Sequence, residues 1–361
     1  MMRELEFDEL EALAIGAGVL GTGGGNHPHL ELMCAQADYL RGRRVTLLDP
    51  QELADDARVA VVCIMGAPLV TKERLPEPVA ICKAVRLMEE HCGKPFDAIM
   101  SIEIGGENAF FALLVGMELG LPVVDADTMG RAFPEAQMAS FAIRGLPVTP
   151  FAIADIRDNA VLIPVAENAT RVERIGRKTV VELGSIAGTC AAPRTGREVK
   201  DHAILNSISR ALSIGNAVLD ARKAGANPVA SVLEAENGAL LFTGKVQDVS
   251  RRTTDGFVRG CAVLSGAGAF EGQRLEIDFQ NEFSVARLDG VRIACVPDLI
   301  TVLDEETAEA IGTEVLRYGQ RVAVIALPAD PIMTSPEGLA VTGPRAFGFD
   351  FDYQPFAEKT V

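Results

Sequence analysis

Apolar residues at Leu10, Leu13, Ala14, Ala17 and Leu20 recur at helical spacing, with Asp8 and Glu11 as a capping pair ahead of them. The run Gly21-Thr22-Gly23-Gly24-Gly25 stops this helix, and a second is expected from about Pro28 to Arg41. Short apolar runs follow at residues 45–48, 59–65, 98–102 and 122–124, with helical stretches near 79–91 and 109–119 between them. Strands apolar on both faces that alternate with helices predict a mainly parallel sheet covered by helices. Such sheets bind ligands at the carboxyl ends of their strands, which directs attention to the loops after Met65, Ile102 and Val124.

After a helical stretch at 202–224 the period drops to two. Runs at 239–245, 257–264, 274–279, 283–288, 291–296 and 321–327 predict about six strands. Asp255-Gly256 and Asp289-Gly290 each sit between such runs, a strong hairpin signal. The second half therefore reads as a mainly antiparallel β domain, a barrel or a sandwich. The expected organisation is an α/β domain over 1–165 that carries the site loops and a β-rich domain over 236–361. Between them a helical bridging segment, 166–235, is free to pack on the first domain.

The chain has 361 residues and is 48% hydrophobic, enough for two cores. Its 34 Lys and Arg against 50 Asp and Glu give a net charge of -16. That field repels phosphate backbones and anionic lipid, so neither nucleic acid nor membrane is expected as a partner. One segment runs against it. Residues 171–200 carry Arg171, Arg174, Arg177, Lys178, Arg194, Arg197 and Lys200 against Glu173, Glu182 and Glu198. This is a solvated surface stretch or a contact for an anion or carboxylate. The seven cysteines show no CxxC spacing, which argues against a disulfide framework and a thiolate zinc site. The acidic first ten residues and the short apolar run at 60–70 fit a cytoplasmic protein.

Three segments hold candidate chemistry. The glycine run leads into Asn26-His27-Pro28-His29; Gly23, Gly24 and Gly25 allow close backbone approach, and their N–H groups suit an anion. It follows a helix rather than a strand, so no nucleotide cofactor is expected. His27 is placed for proton transfer or for a metal. The segment Glu103-Ile104-Gly105-Gly106-Glu107-Asn108 ends a strand: Glu103 supplies a carboxylate, Gly105 and Gly106 room, and Asn108 an orienting amide. Asp125 and Asp127, two carboxylates at i and i+2 after the next strand, call for a cation, a shared proton or Arg131 to relieve their repulsion. Each segment also has a plain structural reading as a helix cap or tight turn. Cys190 has no assignable histidine partner and is given no covalent role.

The glycine run, the 103–108 segment, the block Asp125-x-Asp127-x-x-Gly130-Arg131-Ala132-x-Pro134-Glu135 and Pro297-Asp298-Leu299-Ile300 together resemble the S-methyl-thiohydantoin desulfurase family. The resemblance covers nearly the whole chain. It implies hydrolysis of a C–S bond in a small five-membered cyclic thio-imidate, giving the hydantoin and methanethiol. On chemical grounds such a reaction needs a base for water, donors for developing negative charge, and an acid or cation for the departing thiolate. Glu103 or Asp125 is placed as the base, with Asp127 beside them. The amides of Gly23, Gly24 and Gly25 are candidate donors, with Gly105, Gly106, Asn108 and Arg131 as substrate contacts. His27 is the acid, or shares a divalent metal such as zinc with Asp125 and Asp127. Two further classes stay open: another cyclic-amide hydrolase or lyase, and a non-catalytic ligand-binding or accessory subunit of a hydantoinase-type complex. A homo-oligomer or a hydantoinase-type partner fits these readings.

Overall fold

The computed structural model describes residues 2–25, 28–66, 70, 75–76, 78–254 and 257–356. The chain forms two compact units. The first comprises Met1–Leu10, Pro28–Gly130 and Glu135–Ser209; the second comprises Glu11–His27, Arg131–Pro134 and Arg210–Val361.

The first unit is built on one mixed sheet. Its strands are β1 (Arg3–Glu4), β2 (Thr46–Leu48), β3 (Arg58–Gly66), β4 (Ala98–Ser101), β5 (Val123–Val124), β7 (Phe151–Ala154), β8 (Ala160–Ile163) and β9 (Ile186–Cys190), with β10 (Arg194–Thr195) beside β3. A small separate ladder joins β6 (Ala126–Asp127) to β11 (Ile204–Leu205). The order is β1-β2-β5-β4-β3-β9-β7-β8. Strands β2, β5, β4 and β3 run parallel, as the alternation of strand and helix predicts. From β3 outward the pairing turns antiparallel through β9, β7 and β8. The sequence reading did not include these last three strands. The Gly188-Thr189 step interrupts the apolar run of β9, yet glycine is what the packing requires there. A Cβ on Gly188 would fall 2.3 Å from Ile81 N in the helix Val79–Cys92. The span 166–235, expected as helical, thus also carries β9, β10 and β11.

The parallel strands are buried on both faces because helices cover both. Val59, Val61, Ala98 and Met100 join Val124 and Phe141 in one core. Phe151, Ile153 and Ile163 pack on Val172 and Val180 of the helix Ala169–Glu182 in another. Helices Val79–Cys92 and Glu107–Leu119 each end on a left-handed glycine, Gly93 and Gly120.

The second unit holds a curled, wholly antiparallel sheet, a half-barrel. Its strands are β12 (Ala239–Thr254), β13 (Phe257–Gly266), β14 (Arg274–Gln280), β15 (Glu282–Leu288), β16 (Val291–Cys295), β17 (Leu299–Asp304) and β18 (Arg321–Leu327). Their order is β16-β15-β14-β13-β12-β18-β17. Register shifts at Leu240/Phe242 and Val246/Asp248 of β12 add the local bend that curls the sheet around Phe242, Phe279, Phe283 and Val324. Asp289 at φ 48° and Gly290 at φ 82° form the turn that their sequence predicts. The other predicted turn, Asp255-Gly256, lies outside the described residues, although Thr254 pairs with Phe257 across it. In the same unit, helical residues 11–20 and 210–224 cross at reciprocal glycines. A Cβ on Gly16 would lie 1.8 Å from Ala211 O, and one on Gly215 would lie 1.8 Å from Ala12 O. No helix among the described residues is long and apolar enough to cross a membrane.

Candidate active site

In the first unit the loop after β4 is wired to the loop after β5. Ser101 Oγ donates to Glu103 O at 2.6 Å and accepts from Glu103 N at 3.3 Å, which turns the chain sharply at the strand's end. Gly106 at φ 69°, ψ -144° occupies backbone space that favours glycine and starts the helix Glu107–Leu119. Asn108, in that helix's first turn, faces back. Its Nδ2 donates to Glu103 Oε1 at 2.6 Å, and its Oδ1 accepts from Ile64 N of β3 at 2.8 Å. Strand β3, the loop after β4 and the start of the helix are thereby fixed to one another. Glu103 and Glu107 are both buried at the positive end of the helix, where its dipole favours negative charge. The N–H groups of Gly105 and Gly106 find no acceptor among the described residues.

Asp127 ties the second loop to the first. Its Oδ2 accepts from Ile104 N at 2.9 Å, Met129 N at 3.2 Å and Gly130 N at 2.7 Å. The side chain is fully buried, and burial pushes its carboxyl up to about 7 against the pull of those amides. Ser207 Oγ lies close enough to favour the charged form, but not in hydrogen-bonding geometry: it and Asp127 Oδ1 both lack a bonded partner among the described residues. Thr128 adds a further tie, its N–H and Oγ1 both donating to Ile102 O.

Asp125 is directed elsewhere. Its Oδ1 accepts from Ile208 N at 2.8 Å and Ser209 N at 3.1 Å, and its Oδ2 accepts from Ser209 Oγ at 2.5 Å. This wiring caps the helix Ser207–Ala224 from a distant loop. Asp125 also lines a polar cavity of about 180 Å³ with Arg3, Leu47, Asp49, Asn206 and Ser209. Glu103 is not among that cavity's walls.

The glycine run belongs to the second unit, where two of its glycines are required by packing. Gly23 sits at φ 90°, and a Cβ there would lie 2.4 Å from the Phe283 ring. A Cβ on Gly24 would lie 2.0 Å from Glu282 Oε1. Phe283 N donates to Thr22 O, and Thr313 N and Oγ1 donate to Gly23 O. Arg131, 1% exposed, is fastened there too. Its Nε donates to Ala132 O, Nη1 to Pro297 O and Asp298 O, and Nη2 to Thr22 Oγ1, while the guanidinium stacks 4.5 Å over the Phe133 ring. The Arg131 and 297–298 segments that stood out in the sequence are therefore partners. Tyr353 Oη and Phe356 N donate to the Asp298 carboxylate, tying down the chain's last described stretch.

His27 lies outside the described residues. Among the described residues no group of three or more His, Cys, Asp or Glu side chains gathers as a metal site. Both Asp125 oxygens and Asp127 Oδ2 are committed to N–H or O–H donors, a poor fit to a cation at that pair. Cys190 is fully buried, and burial pushes its thiol well above the ordinary range. Glu107 and Glu31 are among the buried carboxylates that went unassigned in the sequence. Glu107 was overshadowed by Glu103, four residues before it. Glu31 shares the buried stripe Glu31, Ala35, Tyr39 of the helix His29–Leu40, and burial pushes it up to about 7. An acidic residue in an otherwise apolar helical stripe was the available signal.

No curated protein matches the chain significantly. A crystal structure of a protein from Chromobacterium violaceum superposes with a TM-score of 0.82 at 25% identity, covering 98% of this chain and 99% of that one. The profile of the S-Me-THD-like N-terminal domain matches residues 8–165, and that of the S-Me-THD-like C-terminal domain matches residues 166–356. The chain belongs to the S-Me-THD-like family.

Proposed function

We propose that this protein is a hydrolase of small cyclic thio-imidates of the S-methyl-thiohydantoin kind, with Glu103 as the base that activates water. The observation that carries the reading is the Ile64–Asn108–Glu103 chain of hydrogen bonds. It holds a buried carboxylate as an acceptor at the carboxyl end of a parallel strand, where α/β sheets place their ligands. Asp125, the other candidate base, spends both oxygens capping a helix.

The balanced reaction is ring C–SCH₃ plus water to ring C=O plus CH₃SH. Water oxygen bonds to the sp² carbon as Glu103 takes its proton. Negative charge passes onto the ring nitrogen, with the N–H groups of Gly105 and Gly106 as its donors in this scheme. The hydroxyl proton then moves to the ring nitrogen as the carbonyl forms and the C–S bond breaks, and the proton held by Glu103 goes to the methanethiolate.

The test is methanethiol release by the purified protein and by Glu103→Gln. Loss of a general base costs about 10²–10⁴-fold in rate. A variant as active as the parent excludes Glu103 as the base. Binding of the ring without release by the parent favours the accessory-subunit reading.

A further inference from the structure

The basic segment 171–200 has a use that the proposed reaction does not absorb. Three of its seven cations find carboxylate partners, Arg177 with Glu173, Arg197 with Asp201 and Lys200 with Asp55, and Arg171, Arg174 and Lys178 are exposed to solvent. Arg194 is different. It stands on β10 opposite Val59, 5% exposed, and forms no ion pair among the described residues. Its Nη2 donates to Pro147 O at 2.5 Å, and its guanidinium lies 4.6 Å over the Phe141 ring. Its Nε is buried without any partner. An arginine keeps its charge under essentially all conditions, and an unpaired buried charge is costly. One carbonyl and one ring face offset only part of that cost.

Arg194 forms part of the wall of a cavity of about 40 Å³ in the first unit. The rest of the wall is mostly apolar, with Val61, Phe141, Val148, Phe151 and Val172 among its residues. At about 10–15 Å³ for each water, the space holds roughly three. That suits a carboxylate group with a very short alkyl tail. Ile102 and Thr128, neighbours in sequence of Glu103 and Asp127, also line it.

We propose that this cavity is a binding site for a small aliphatic monocarboxylate, held by the guanidinium of Arg194 with its alkyl end against the apolar walls. A planar guanidinium matches a carboxylate through paired N–H donors, and a dry apolar surround strengthens the pairing. The neutral amide of the same shape lacks the charge that Arg194 needs. The proposal does not depend on Glu103 chemistry.

The experiment titrates propionate and, separately, propionamide into the full-length protein, followed by ligand-observed NMR and by the shift in Tm. Propionate is expected to bind at least tenfold more tightly than propionamide and to raise Tm. Arg194→Met should lose that preference by tenfold or more. Ala142→Leu, which keeps Arg194 but fills the cavity, should lose propionate binding as well. Folding of both variants is checked by circular dichroism, and Ala142→Leu carries the test if Arg194→Met fails to fold. The proposal is overturned if propionate does not bind the folded parent or binds no better than propionamide. It is equally overturned if either folded variant binds propionate as the parent does.

Discussion

Replacing Asp127 by Asn isolates the energetic cost of one buried carboxylate. In the native chain the group is held up to about 7, against an ordinary value of 3.8, because burial outweighs the three amides on Oδ2. A folded-state value above the ordinary one means that the native state binds the proton more tightly than the unfolded chain. The associated stability is fully present below 3.8 and is lost as pH rises through about 7. At about 1.4 kcal/mol per pH unit the full loss is about 4 kcal/mol, and the part that falls between pH 5.5 and 8.5 is about 2 kcal/mol. An Asn carbonyl can accept the same three amides, and its amide nitrogen then faces Ser207 Oγ, which lacks a partner. The variant should therefore fold and lose this pH dependence. Urea unfolding of parent and variant at pH 5.5 and 8.5 measures it, since the other titrating groups are common to both proteins. The stability difference should move by about 2 kcal/mol in favour of Asn at the higher pH. A difference unchanged between the two pH values refutes the claim that burial controls this carboxyl.

Cys190→Ser should leave methanethiol release within about twofold of the parent, because the thiol is fully buried and burial keeps it protonated; a dead but folded variant would replace water activation with a covalent thiol mechanism. Gly215→Ala should cost about 1–3 kcal/mol in urea unfolding, since a Cβ there meets the backbone of Ala12 at 1.8 Å and two helices must part; a neutral substitution shows that the crossing is looser than described. Turnover should survive dialysis against a chelator, given that Asp125 and Asp127 Oδ2 are committed to hydrogen donors. Activity lost on chelation and restored by zinc would return the metal to the mechanism.

The parallel strands and the hairpin at Asp289-Gly290 were legible because each leaves a local mark, an apolar run between helices or a turn pair that tolerates positive φ. Strands β7, β8 and β9 were not: all three are short, and although β7 and β8 form a hairpin, β9 pairs with strands distant in sequence. Val62 pairs with Cys190, and no local pattern announces it. The polar outer half of β12 escaped for a related reason: beyond Asp248 that strand has little core to face. At the candidate site the segments were legible but their wiring was not. Asp125 and Asp127 look equivalent in the sequence, yet one caps a helix and the other clamps two loops. The glycine run read as a ligand cradle, whereas Phe283 and Glu282, some 260 residues away in sequence, account for two of its glycines. Arg194 was visible only as one charge in a basic stretch; burial without an ion pair distinguishes it from the rest.

The central claim is that Glu103, held by Asn108, activates water against a thio-imidate carbon. Its most direct test measures methanethiol released from S-methyl-thiohydantoin by the parent and by Glu103→Gln, with folding of both checked by circular dichroism. The account predicts steady release by the parent and a rate lower by about 10²–10⁴-fold in the variant. Equal rates in the two proteins, or no release by a folded parent from any cyclic thio-imidate, would contradict it.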